Sequence, residues 1–231
     1  MNIAGAAADA SAVTDSATGR VGVSEIYASI QGESTHAGRL CTFVRLAGCP
    51  LRCRWCDTEY SFSAGKMMLL ADVVEAVRTL GVPLVELTGG EPLAQRSAPA
   101  LVAALCDAGF EVLIETSGAY PVAHLDPRAR IIADLKCPGS GESARNRYDV
   151  LAALRPCDEL KIVAADEHDL AWALARLGDE LASCAATVLW SAVEGELAPH
   201  ALAAWLLRER PVGRMQLQLH KVIWPGVDRG V

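Results

Sequence analysis

From about residue 22 onward, short apolar runs alternate with longer segments of helical period. That alternation predicts βα units and a mainly parallel sheet. The expected strands are Cys41–Leu46, Leu84–Thr88, Glu111–Glu115, Ile131–Asp134, Glu159–Val163 and Thr187–Trp190. Within Leu70–Leu80, the positions Val73, Val74, Val77 and Leu80 form the stripe of a helix that packs on a sheet. Leu101–Ala108, Glu167–Leu177 and Pro199–Leu207 read the same way. Six strands and about 210 residues fall short of the roughly 250 of a complete eight-unit barrel. The expected fold is therefore α/β, a partial, open βα barrel of about six strands.

Residues 1–20 are small and polar, with Ile3 and Val13 as their sizeable apolar side chains. They read as a disordered extension ahead of one domain over residues 21–231. The segment lacks the continuous apolar core of a signal peptide, which points to the cytoplasm. No apolar run reaches the roughly 20 residues of a membrane span. A formal charge of −7 disfavours a general nucleic-acid binder and suits a small-molecule substrate.

The chemistry concentrates in Gly48-Cys-Pro-Leu-Arg-Cys-Arg-Trp-Cys-Asp-Thr58, where Cys49, Cys53 and Cys56 stand at C-x3-C-x2-C spacing. Three thiolates can hold three irons of a 4Fe-4S cluster and leave the fourth iron open, whereas clusters that only carry electrons use four cysteines. A closed zinc site is the competing reading, with His36, His124, His168, His200 or His220 as fourth ligand. No second C-x2-C or H-x3-H accompanies it. A disulfide framework fits neither the length nor the scattered cysteines. Cys41, Cys106, Cys137, Cys157 and Cys184 read as small buried hydrophobes.

Unusual residues recur where the strands end: the cysteine loop after the first, Thr88-Gly-Gly-Glu-Pro92 after the second, Glu115-Thr-Ser-Gly118 after the third and Asp134-Leu-Lys136 at the fourth. In barrels of this kind the chemistry sits at those C-terminal ends. Gly89 and Gly90 could simply make a tight turn, or a backbone without Cβ could admit a ligand. Arg45 in an apolar strand calls for an anion, either a bound ligand or an internal partner such as Glu33.

The cysteine spacing together with Gly-Gly-Glu-Pro resembles the radical S-adenosylmethionine (SAM) superfamily. That resemblance implies that Cys49, Cys53 and Cys56 ligate a 4Fe-4S cluster whose open iron is chelated by the amine and carboxylate of SAM. It places Trp55, Cys56 and Asp57 beside the cofactor and Gly90 against the methionine moiety. Ser117, then Asp134, Leu135 and Lys136, are the next SAM contacts implied, with Ser191 the weakest.

Five stretches resemble the 7-carboxy-7-deazaguanine synthase family: Glu25-Ile-Tyr-Ala-Ser-Ile-Gln-Gly-Glu33, Phe43-Val-Arg-Leu-Ala-Gly-Cys49, Cys56-Asp-Thr58, Asp134-Leu-Lys-Cys-Pro-Gly-Ser-Gly-Glu142 and Gln216-Leu-Gln-Leu-His-Lys221. The likeness runs from about Val23 to the C-terminus. It implies that Ile30, Gln31, Gly32, Glu33, Arg45, Thr88 and the carboxylate of Val231 hold a pterin. From the residues alone, Thr58 is a turn residue and Asp57 a candidate metal ligand; the resemblance gives Mg2+ to Thr58. Glu194 and Glu196 read as surface charges. His220 and Lys221 read equally as pocket lining or as a structural cap. The implied reaction is ring contraction of 6-carboxy-5,6,7,8-tetrahydropterin to 7-carboxy-7-deazaguanine with loss of ammonia, in queuosine or 7-deazapurine biosynthesis. A flavodoxin or ferredoxin donor and a homodimer are implied with it. The alternatives are a glycyl-radical-enzyme activase, which shares the cysteine loop, and a zinc-stabilised binding module.

Overall fold

A computed structural model describes residues 19–63, 65–227 and 229–231. The extension expected over residues 1–20 lies outside the described residues up to residue 18, and Arg20 opens the first strand. Among the described residues nine strands form one sheet. They are β1 (Arg20–Ile30), β2 (Leu40–Leu46), β3 (Lys66–Leu69), β4 (Leu84–Gly89), β5 (Glu111–Thr116), β6 (Arg130–Lys136), β7 (Glu159–Ala164), β8 (Thr187–Ala192) and β9 (Arg214–Met215). Their order is β3-β1-β2-β4-β5-β6-β7-β8-β9. From β2 to β9 all neighbours are parallel, and β1 pairs antiparallel with both β2 and β3. The sheet is open, with β3 and β9 as its edges, as the partial barrel requires.

The six expected strands are β2 and β4 to β8. The expected count needs correction at both edges, where β1, β3 and β9 were not anticipated. β1 carries Gly22, Ser24, Glu25 and Ser29 among its apolar residues, so it has no continuous apolar run. β9 is two residues long and gives no periodicity at all.

Among the described residues six α-helices accompany the strands: α1 (Leu70–Leu80), α2 (Ala98–Asp107), α3 (Tyr148–Ala152), α4 (Glu167–Gly178), α5 (Pro199–Glu209) and α6 (Leu219–Ile223). α1 buries Leu70, Val73 and Val77. Burying each such side chain contributes about 1.5–3 kcal/mol. One face of the sheet joins these helices in the main core, through Val44, Leu46, Val85, Leu87, Ile114, Leu135, Ile162 and Trp190. Because side chains alternate along a strand, the intervening positions point to the other face. There Cys41, Phe43, Leu84, Leu113 and Ile132 form a small apolar floor. One pleat further along each strand, Arg45, Glu86, Thr88, Glu115, Asp134 and Lys161 make a polar layer that lines a cavity. No helix among the described residues is long and apolar enough to cross a membrane.

Candidate active site

The cavity, of about 390 Å³, opens at the C-terminal ends of the parallel strands. Almost all the residues expected at the site line it. They are Ile30, Gln31, Gly32, Glu33, Arg45 and Thr88 on one side, and Cys49, Cys53, Trp55, Cys56, Asp57, Thr58, Gly90, Ser117, Asp134 and Lys136 on the other, with Val231 and His220 from the C-terminal segment. Two expected residues do not line it. Leu135 points into the helix-side core, because it alternates with Asp134 and Lys136 along β6. Ser191 is buried off the cavity, and its Oγ has no partner.

The cysteine loop is held from several directions. Gly48 N donates to Ser61 O at 2.7 Å, Glu91 N to Gly48 O at 2.9 Å and Arg54 N to Ser140 O at 3.0 Å. Gly90 has a packing role that its spacing did not disclose. A Cβ on it would lie 2.4 Å from Gly48 O and 2.7 Å from Cys49 Cβ. Its missing side chain therefore lets the β4 turn close on the cysteine loop. Glu91 beside it is fully buried and accepts from Leu93 N, Thr116 Oγ1 and Ser117 N at 2.7–2.9 Å. It ties the end of β4 to the end of β5 and so fixes Ser117.

All three loop cysteines are free thiols, half-buried, and directed at one cavity. Their sulfurs are not gathered within 4.8 Å of one another; among the described residues only Asp166, His168 and Asp169 form such a group. A single zinc ion with Zn–S bonds of about 2.3 Å needs its thiolates closer than that, whereas a cluster of four irons spreads them. Three thiols directed at one cavity fit the three-cysteine ligation of a 4Fe-4S cluster with one open iron. Asp134 Oδ1 is a buried acceptor on the same cavity that makes no hydrogen bond, with the Lys161 ammonium 3.5 Å away as an ion-pair partner, and its free lone pair fits a donor-bearing ligand such as SAM.

On the opposite side Arg45 is already paired, and the partner is Glu25, not Glu33. The antiparallel register sets Glu25 directly across from Arg45, with Nε to Oε1 at 2.9 Å. Arg45 Nη2 also donates to the Tyr27 hydroxyl at 3.2 Å, and Tyr27 donates to a carboxylate oxygen of Val231 at 3.0 Å. The C-terminal residue therefore reaches the guanidinium through one hydroxyl. Burial lowers the Arg45 pKa, but Tyr27, Tyr60 and Glu25 outweigh it and keep the charge fixed.

The C-terminal segment is stitched to both sides of the cavity. Gln218 Nε2 donates to Glu33 at 2.7 Å and Leu219 N to Gly32 O at 2.9 Å. A Cβ on Gly32 would meet His220 Nδ1 at 2.6 Å, so glycine is what allows this docking. Lys221 lies 3.1 Å from Asp57 and 3.5 Å from Glu194. Glu194 is exposed, as expected of a surface charge, and also lines the cavity; Glu196 pairs with Arg54 at 2.6 Å. With Asp57 engaged by Lys221, the Thr58 hydroxyl, 3.7 Å from Cys56 Sγ, is the less committed oxygen.

Sequence reasoning missed Glu86 and Lys161, and it singled out the stretch opened by Glu115 without giving that carboxylate a role. Each is a charged residue inside an otherwise apolar strand, the same signal that singled out Arg45. Burial and the neighbouring Glu115 carboxylate push Glu86 well above the ordinary carboxylate range, and Gln31 Nε2 donates to it. Burial also raises Glu33 and Glu115, yet the Lys161 ammonium outweighs it and holds both below that range. A carboxyl raised in the folded state binds its proton more tightly there. Its stabilisation is complete below the unfolded pKa of about 4.3 and is lost as pH rises toward the folded value. Glu86→Gln, which mimics the protonated form, is accordingly expected to lose less thermal stability than the parent between about pH 5 and 8. Melting curves across that range check this, and parallel slopes would count against it.

These features define a class. Residues 44–138 match the Radical SAM superfamily. The chain is 45% identical over 214 residues to a 7-carboxy-7-deazaguanine synthase of Chlorobaculum tepidum, covering 90% of this chain and 96% of the relative. It is 39% identical to the synthase of Koribacter versatilis, covering 90% and 99%. The crystal structure of QueE from Escherichia coli shares the fold, with a TM-score of 0.74 at 20% identity over 91% of this chain and 99% of that one. The chain belongs to the 7-carboxy-7-deazaguanine synthase family.

Proposed function

We propose that this chain, as one radical SAM domain over residues 21–231, converts 6-carboxy-5,6,7,8-tetrahydropterin to 7-carboxy-7-deazaguanine with loss of ammonia. The observation that carries the reading is that one cavity holds three free thiols at one side and a fixed guanidinium with amide and hydroxyl groups at the other. Cys49, Cys53 and Cys56 hold the 4Fe-4S cluster. Gly90, Ser117, Asp134 and Lys136 hold SAM, with Trp55, Cys56 and Asp57 beside it. Leu135 and Ser191 serve through their backbone or through packing. When bound, the pair supplies one-electron chemistry able to take hydrogen from a C–H bond.

The protein's own task is placement. Gln31 is clamped at both ends, its Oε1 accepting from Glu33 N at 2.9 Å and its Nε2 donating to Glu86. Its remaining donor and acceptor capacity meets the amide-like edge of a pterin, together with Ile30, Gly32, Glu33 and Thr88. Arg45 keeps N–H groups beyond those used by Glu25 and Tyr27, enough to fork a carboxylate. The apolar floor of Phe43 and Ile132 excludes water beneath the ring. Thr58 would offer one hydroxyl oxygen to Mg2+, which would supply Lewis-acid polarisation of the substrate's oxygens. A flavodoxin or ferredoxin gives the electron, and two copies of the chain form a homodimer. Eight free thiols suit a cytoplasmic location.

Turnover of the carboxypterin by the anaerobically reconstituted protein, with and without Mg2+, tests the reading. Product formation that rises with Mg2+ is expected. Stoichiometric consumption of SAM with no pterin product would favour the activase. The position of Val231 gives a second test. Residues added after it displace the carboxylate from Tyr27, so a C-terminal tag is expected to raise KM for the pterin at least about tenfold, the value of one charge-assisted hydrogen bond. The same tag at residue 1 leaves KM unchanged, and equal kinetics of the two forms would remove the assignment.

A further inference from the structure

Lys161 rises from the middle of β7 to the inner face of the sheet, is 6% exposed, and has no part in the roles above. An ammonium carries three N–H donors and no acceptor. Lys161 Nζ donates to Glu33 Oε2 at 2.9 Å and to Glu115, and lies 3.5 Å from Asp134 Oδ1. The three carboxylates come from separate places: the β1–β2 loop, the end of β5 and β6. Each has a second tie. Glu33 accepts from Gln218 at 2.7 Å, Glu115 from Thr88 Oγ1 at 3.0 Å, and Asp134 from Lys136 at 2.5 Å.

Those ties divide between two ligands. Glu33 and Thr88 stand with the pterin residues, and Asp134 and Lys136 with the SAM residues. Among the described residues, Lys161 is the cation that reaches carboxylates of both groups. Remove its charge and three part-buried carboxylates repel one another, which drives the β1–β2 loop and the end of β5 away from β6. We propose that Lys161 is a positioning residue that fixes the separation between the pterin and SAM subsites; this rests on the reaction proposed above. With its donors directed at protein carboxylates, it acts through them and not on the substrate. The separation matters because misplacement by about 1 Å can cost about a hundredfold in rate.

The test compares Lys161→Met with the parent in two measurements. Equilibrium dialysis of the carboxypterin against reconstituted enzyme without reductant reads the pterin subsite alone. The amount of 5′-deoxyadenosine set free per 7-carboxy-7-deazaguanine formed reads the distance between the subsites. A purely structural loss lowers both products together and leaves that ratio alone. We expect pterin affinity to fall, and the ratio to rise at least about tenfold. An unchanged ratio overturns the proposal whatever happens to affinity. Where Lys161→Met does not fold, Lys161→Arg decides the matter: it keeps the charge but replaces a point donor with a planar fork, so a raised ratio is again expected and a parental ratio overturns it. If the parent forms no product, the proposed reaction fails instead, and the two failures are told apart.

Discussion

Replacing any one of Cys49, Cys53 and Cys56 with serine is expected to leave a folded protein that neither takes up a stable brown chromophore nor turns over. The three side chains are half-buried and contribute little to the core, which lies on the other face of the sheet. The fold should therefore tolerate the change, with a melting temperature within a few degrees of the parent. Iron–sulfur ligation will not tolerate it, since a thiolate is the ligand the cluster requires and the loop supplies three with no spare. The nearby Cys137 cannot substitute: it is buried in the helix-side core. Loss of activity should exceed the roughly hundredfold that even an outer-shell change at a metal site can reach. Iron content, absorbance near the visible charge-transfer band and product formation together check this. A variant that retains full iron and turnover would show that the substituted cysteine is not a ligand.

Gly90→Ala is expected to damage the same centre without touching a ligand. The added methyl would sit 2.4 Å from a backbone oxygen, that of Gly48, and 2.7 Å from Cys49 Cβ. Neither neighbour is the free end of a flexible side chain. Gly48 is pinned by its bonds to Ser61 and Glu91, and Gly90 N is itself bonded to Leu46 O at 3.1 Å. The loop has to shift at Cys49, while Cys53 and Cys56 stay anchored with their own turn and with Ser140. Overpacking of this kind costs about 1–3 kcal/mol, or a fall of several degrees in melting temperature for a chain of this size. The larger effect is on the cluster, because one ligand moves relative to two others. Iron retention after desalting should drop well below the parent's. Gly178→Ala is the control: nothing lies within 4 Å of its added carbon, it ends α4, and its φ is not positive. It should be neutral or slightly stabilising, since glycine in a helix costs about 0.5–1 kcal/mol relative to alanine. Equal iron retention in both variants would mean that the closeness of the β4 turn to the cysteine loop does not matter.

Both expectations begin in motifs visible in the sequence, but they differ in what the sequence said about them. The cysteine loop is local: three thiols within eight positions must share a turn, whatever the rest of the chain does. The glycines were legible as a turn or a ligand approach, and the structure gives a third reason, contact with a loop some forty residues earlier. Arg45 shows the same limit. Its need for an anion followed from its place in an apolar strand, but Glu25 became its partner only through the antiparallel register of β1 and β2. β1 itself was not read as a strand, so the partner could not be named. Glu194 is the surface charge the sequence suggested, and what only the structure adds is Lys221, arriving from the C-terminal segment 3.5 Å from it at the cavity.

What the sequence determined by itself was the parallel centre of the sheet, the packing helices and the cysteine loop, because each rests on a pattern within a dozen residues. Apolar runs, helical stripes and C-x3-C-x2-C spacing constrain their own segments directly. Tertiary structure alone decided the edges of the sheet, the charged layer of Glu86, Glu115 and Lys161, and the docking of the C-terminal segment against Gly32 and Tyr27. These depend on strand order and register, which bring together residues more than a hundred positions apart. The free energy that selects them lies in burying charges only where a partner waits, and no local propensity carries that information.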